Sequence, residues 1–419
     1  MKTKIHNYQF IIMASLLLWV SLCSFRGYGQ TLNDYLIVAT QNNPEIKASY
    51  LKFEAALQRV PQIKSWPDPT LTISAFGRMI ETRIGRQEAR FSLMQMFPWF
   101  GSTEAKENVA NAMAEATFQS YLDTRNEVLF NVKRVYAELY ELQKTIRLEE
   151  ENLGILNTYK ELALSKFKNG KGTMVDVVRI DIKRNESVTN IQILQDQYKP
   201  LRIEFNTILN RNVNESIAYP DELSISVEHS AISIDSLFNG NPKLVMLESE
   251  KKAFEAQKVV AVKDGYPKIG VGLDYSIISK RDVPDLAMNG QDAIMPMLSI
   301  SLPIFSRKYR SAQKEMDFQI QSTEAKSEAV KNNLISTFSN AQYDVSKSKN
   351  MIALFETQIK STKQAVSLLI TSYSNSNSDF DEILRMNQDL LMYKKAMATE
   401  TKNLFTAQSK IEYLLSKTE

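Results

Sequence analysis

Few side chains in this chain of 419 residues are equipped for covalent or metal chemistry, since it carries two histidines and one cysteine. Methionine is more plentiful, at 16 residues, and Met79, Met94, Met96, Met288, Met295 and Met297 gather in two short regions. Thioethers are soft ligands that could take copper or silver. Filling irregular apolar space is the plainer account of the same residues, so no metal is assigned. Asp176 and the group Asp379, Asp381 and Glu382 each open a helical stretch, where capping and the helix dipole favour acidic side chains by themselves. Gly270-Val271-Gly272 lacks the third glycine of a dinucleotide loop. No phosphate loop, zinc-spaced ligand set or nucleophile elbow is present. The expectation is a non-enzyme without cofactors.

Bulk properties agree. With 24% charged and 43% hydrophobic residues, the chain can bury a core. A formal net charge of +3 is too small to argue for nucleic acid. Residues 1–29 read as a signal peptide: Lys2 and Lys4, an apolar run from Ile11 to Leu22, then Gly27-Tyr28-Gly29 with cleavage before Gln30. The bulky Leu22 before Cys23 is wrong for a lipoprotein signal. Without that segment the chain has no cysteine, which suits export that relies on no disulfide. No other stretch approaches a transmembrane helix, so a membrane-embedded form must use β-strands.

The elements that position these residues come twice. Asn43-Pro44 recurs as Asn241-Pro242, Phe97-Pro98-Trp99-Phe100 as Leu302-Pro303-Ile304-Phe305, and Phe167–Val178 as Tyr373–Leu384. A heptad seam runs from Val128 through Val132, Val135, Leu139, Leu142, Ile146 and Glu149 to Phe167. Adding 206 to each position gives Leu334, Phe338, Ala341, Val345, Ser348, Ile352 and Phe355 through to Tyr373, without a slip of register. A 3.5-residue repeat of this length implies supercoiled helices packed along their whole length. The first should span about Ser102 to Lys168. Each is followed by a turn, Asn169-Gly170-Lys171-Gly172 capped by Thr173 and Asn375-Ser376-Asn377-Ser378 capped by Asp379, and by a returning helix. Pro200 is expected to kink the first return helix.

Ahead of each long helix lie two strand-like stretches. Ile269, Val271, Leu273, Tyr275 and Ile277 alternate with Gly270, Gly272, Asp274 and Ser276, the dyad pattern of a membrane barrel strand. Ile294, Leu298, Ile300 and Leu302 repeat it. In the first half, Leu71, Ile73 and Ala75 are expected to pair with Phe91, Leu93 and Phe97. Arg78–Glu88 and Ser279–Asp292 are expected to be loops, and Pro98 and Pro303 to end the ladders. The organisation is thus 30–211 as one repeat, 212–240 as a linker with short extended pieces around Leu223–Val227, and 241–419 as the second repeat. Four strands cannot close a barrel, so other copies must supply the rest.

This order after a signal peptide resembles the TolC-like outer-membrane efflux proteins. The motif Phe167-Lys-Asn-Gly170-Lys-Gly-Thr173-Met-Val-Asp176-Val177-Val178 is similar to their helix-turn signature. In the second copy Tyr373, Glu382, Ile383 and Leu384 fit, and Ser376 replaces the glycine. The resemblance implies long α-helical hairpins plus four membrane β-strands per chain, completing a 12-stranded barrel as a homotrimer in the outer membrane. It implies passive export with a periplasmic adaptor and an inner-membrane transporter as partners. The turns Asn169, Gly170, Lys171, Gly172 and Thr173, and Asn375, Ser376, Asn377 and Ser378, would dock the adaptor. Asp176, Tyr373, Asp379, Asp381 and Glu382 would form the gate, since three-fold symmetry turns each carboxylate into a cation-favouring ring. A soluble adaptor would carry one hairpin, and a filamentous coiled coil would leave the alternating strands unexplained.

Overall fold

A computed structural model describes residues 31–219, 222–224, 234–375 and 380–416. The signal segment with Cys23, most of the Leu223–Val227 stretch, and Ser376, Asn377, Ser378 and Asp379 lie outside the described residues.

The recurring Asn-Pro pairs are helix starts. Asn43 caps α2 (Pro44–Lys64), its side chain accepting from the Glu45 and Ile46 amides at 2.9 and 3.1 Å. Asn241 caps α6 (Pro242–Lys263) through the Lys243 amide at 3.1 Å. In both, proline takes the first helical position, where its missing donor costs nothing. α1 (Leu32–Asn42) precedes α2 and the short α5 (Asp235–Phe238) precedes α6.

The heptads give two very long helices, α3 (Ser102–Lys168, 67 residues) and α7 (Ser306–Ser374, 69 residues). At 1.5 Å rise per residue each is on the order of 100 Å long if straight. Their return partners α4 (Met174–Ile208) and α8 (Phe380–Leu414) have 35 residues each, and α4 runs through Pro200 as one helix.

β1 (Thr70–Thr82), β2 (Gly85–Phe97), β3 (Ile269–Ser279) and β4 (Ala293–Ile300) form one antiparallel sheet in that order. The β2–β3 pairing joins the two repeats, Leu93 facing Leu273 and Phe91 facing Tyr275. Two expectations need correction. Arg78–Glu88 is mostly strand: β1 continues to Thr82, β2 starts at Gly85, and only Arg83 and Ile84 form the turn. Polar side chains there had suggested a loop, but ladder hydrogen bonds accept polar residues where one face is wet. The register also differs, with Leu71 opposite Leu93, Ile73 opposite Phe91 and Ala75 opposite Ala89, while Phe97 pairs with Ile269 of β3.

The sheet's two faces follow the dyad. Ile73, Leu93, Val271, Leu273, Ile294 and Leu298 are exposed apolar residues, whereas Asp274 and Ser276 are buried on the other face. Across that face the Arg90 guanidinium pairs with Asp274, and the Gln87 amide donates to Ser276 Oγ at 2.8 Å.

The described chain divides into two compact units, each drawn from both repeats. One holds residues 31–42, 131–219, 222–224, 350–375 and 380–405; the other holds 43–130, 234–349 and 406–416. The first is centred on Tyr35, edge-on to Phe205 at 5.0 Å, with Val132, Val135 and Leu139 of the α3 seam buried. The second holds a cluster of Leu237, Leu244, Leu334, Phe338 and Ile411. The α7 seam is less covered than that of α3: past Ala341, only Ser348, Val366 and Tyr373 of its seam are buried.

Candidate functional site: the hairpin turns

The first hairpin turns on backbone geometry. Gly170 takes φ +67°, and the Lys171 amide reaches back to the Lys166 carbonyl at 2.9 Å, closing the end of α3. α4 then opens with a capping box. The Asp176 amide donates to Thr173 Oγ1 and the Thr173 amide to Asp176 Oδ2, both at 3.3 Å. The Asp176 carboxylate is therefore engaged in holding its own helix end. Asn169, Lys171 and Thr173 are exposed beside it.

At the second turn the Asn375 amide donates to the carbonyls of Thr371 and Ser372 at 3.3 and 3.1 Å. Asp381 follows in the first turn of α8. It accepts from Arg179 of α4 at 2.9 Å and from Arg385, one turn on, at 2.8 Å. That ion pair joins the two hairpins across 202 residues of sequence. Glu382 is exposed next to it.

Tyr373 is buried in an apolar cluster with Leu156, Tyr159, Ala163, Ile180, Phe380 and Ile383. Its ring lies 5.0 Å from Phe380, which is edge-on to Tyr159 at 6.0 Å. The Lys166 ammonium sits 4.0 Å from the Tyr373 ring centre and donates to the Tyr373 carbonyl. Phe167, expected to close the first seam, is instead 44% exposed, and Lys166 takes the inward place. The helix ends at Lys168, and a Cβ at Gly172 would stand 3.1 Å from Lys166 Cβ, so the returning chain passes close to Lys166.

Farther along the same unit, Glu149 is almost fully buried in the α3 seam. Lys395 of α8 pairs with it and Ser187 of α4 donates at 3.0 Å. These three line a cavity of about 580 Å³ with Asn152, Asn387 and Met392. Burying two charges is stabilising only where the pair is close and further hydrogen bonded, as here. Asp181 of α4 bonds Lys160 at 2.6 Å and Arg184 at 3.1 Å, and the Lys160 bond above all holds its carboxyl below the usual range. Lys160 also stands at a seam position, and the buried charge with a signal in sequence is Glu149. Its partners lie 38 and 246 residues away.

Among the described residues, no group of histidine, cysteine, aspartate and glutamate is arranged to hold a metal ion, and no helix is long and apolar enough to cross a membrane. The arrangement offers charge, cation–carboxylate pairs and aromatic packing beside the turns.

Residues 36–202 match the family model of the outer membrane efflux proteins. One relative, the outer membrane efflux protein BepC of Brucella suis biovar 1 (strain 1330), is 22% identical over 223 residues, 52% of this chain. The match spans about half of that relative's length, 47%. Solved structures extend the likeness of fold to nearly the whole chain. The outer-membrane channel OprN is similar with a TM-score of 0.78 at 17% identity, covering 92% of this chain and 89% of OprN. VceC of Vibrio cholerae, an outer membrane protein, gives 0.75 at 15% identity, covering 92% and 96%. The likeness to these structures is one of fold, and in this chain that fold comprises long helical hairpins and a single four-stranded sheet.

Proposed function

We propose that this chain is an outer-membrane efflux protein, a passive exit duct built from three copies, each contributing four strands to a 12-stranded barrel. The observation that carries the reading is the sheet itself. It is a single antiparallel sheet whose edges, β1 and β4, have no partner strand among the described residues. One face presents Leu71, Ile73, Val271, Leu273, Leu298 and Ile300 to the surroundings. Lipid cannot satisfy the backbone groups of an open edge, each of which costs several kcal/mol. Identical neighbours meet both needs, β4 of one copy pairing with β1 of the next. The half-covered α7 seam is consistent with further helix contacts between copies.

The exported cargo would pass without chemistry, its energy supplied by an inner-membrane transporter and its path bridged by a periplasmic adaptor. The adaptor would dock at the turns Asn169–Thr173 and Asn375–Ser378, with Asp381 and Glu382, and with Asp176, Tyr373 and Asp379, forming the gated constriction. Cysteines at Leu71 on β1 and Leu298 on β4, in a chain lacking Cys23, test the assembly. Oxidation in outer-membrane fractions should yield covalent species that stop at three chains. Only monomers after scanning neighbouring positions for register, or a ladder running past three, would refute it.

A further inference from the structure

We propose that the polar face of the sheet carries a thioether site for one soft monovalent cation, Cu(I) or Ag(I), made by Met94 and Met96 of β2 and Met297 of β4. The strand register sets these residues in one place. Met94 faces Gly272, which faces Met297, so one row across three strands reads methionine, glycine, methionine. Met96 faces Gly270, two residues along on the same face. The two glycines leave a gap with no side chain, and the Met94 and Met96 thioethers reach into it. Met94 Sδ lies 3.1 Å from the points where Cβ atoms of Gly270 and Gly272 would stand, and Met96 Sδ is closer still to the Gly270 point. Two sulfurs gathered about one point, with Met297 facing Gly272 from the next strand, would form a small soft donor set. Such donors favour Cu(I) over hard cations. All three methionines are partly accessible, so an ion can reach them.

Space filling alone would be met equally by leucine, which has no donor atom. The distinction is therefore measurable. Because the site lies within one chain's sheet, it goes beyond the duct reading and stands or falls separately from it. The full-length protein in detergent, with Cys23→Ser to remove the thiol, is titrated with silver nitrate in chloride-free buffer. Binding is followed calorimetrically and by NMR of methyl-labelled methionine. One Ag(I) per chain should bind, shifting the Met94, Met96 and Met297 methyl signals. Met94→Leu/Met96→Leu/Met297→Leu should weaken binding at least about tenfold, while Met392→Leu leaves it unchanged. Equal affinity in the triple variant, or silver shifting only other methionines, overturns the proposal. If the triple variant fails to fold, the methyl shifts of the otherwise native protein decide alone. Oligomeric size measured on the same samples reports on the duct separately.

Discussion

Glu149 is a charge in a hydrophobic seam, and its neighbours determine what it costs. Lys395 supplies the cation and Ser187 a donor, so removing only one side should be far worse than removing both. Lys395→Met strands a buried carboxylate and should destabilise the helical unit by roughly 3–5 kcal/mol, whereas Glu149→Leu with Lys395→Met should recover most of it. Thermal melts followed by helical circular dichroism measure both. A double variant as unstable as the single one would mean that the pair is not the source of the loss. Glu382 poses the opposite case, an exposed carboxylate with nothing in its packing to require it. If it lines the constriction, Glu382→Lys should reduce cation preference in single-channel recordings. Unchanged selectivity would remove it from the pore. Neither Asp176 nor Asp381 allows so clean a reading, because the first caps its helix and the second holds Arg179 and Arg385.

The hairpins depend on how their ends close. Gly170 sits at φ +67°, where an L-residue carries strain of roughly 1–2 kcal/mol. Gly170→Ala should therefore loosen residues 166–173 without unfolding α3, seen as faster amide exchange confined to that turn. Uniform exchange along α3 would show that the turn and helix are one cooperative unit. Much at this scale was legible in advance. The bounds of α3, the first turn and the strand-ending prolines follow from heptads, dyads and breakers, which are local patterns. Where the reading missed, a local cue competed with a non-local one. The polar residues of Arg78–Glu88 suggested a loop, yet pairing with β2 carried β1 through to Thr82. Phe167 suited the heptad, but the end of the helix turned Lys166 inward.

For the whole molecule, the exposed apolar face of the sheet has meaning only in lipid. A charge placed on it, as in Leu298→Lys, should cost about 2–4 kcal/mol near the bilayer midplane and lower recovery in outer-membrane fractions. A lysine at Ser299, on the polar face, should be tolerated; equal loss from both would contradict the assigned sidedness. The length of α3 and the apolar–polar alternation of the strands were settled by sequence alone, because each is written in residues a few positions apart. The joining of the two repeats through β2 and β3, the partners of Glu149, the Arg179–Asp381 bridge and the register that sets Met94 and Met297 on either side of Gly272 were decided by tertiary structure. Those contacts lie between segments far apart in the chain. Periodicity determines which face of an element is apolar, but not which distant element will cover it.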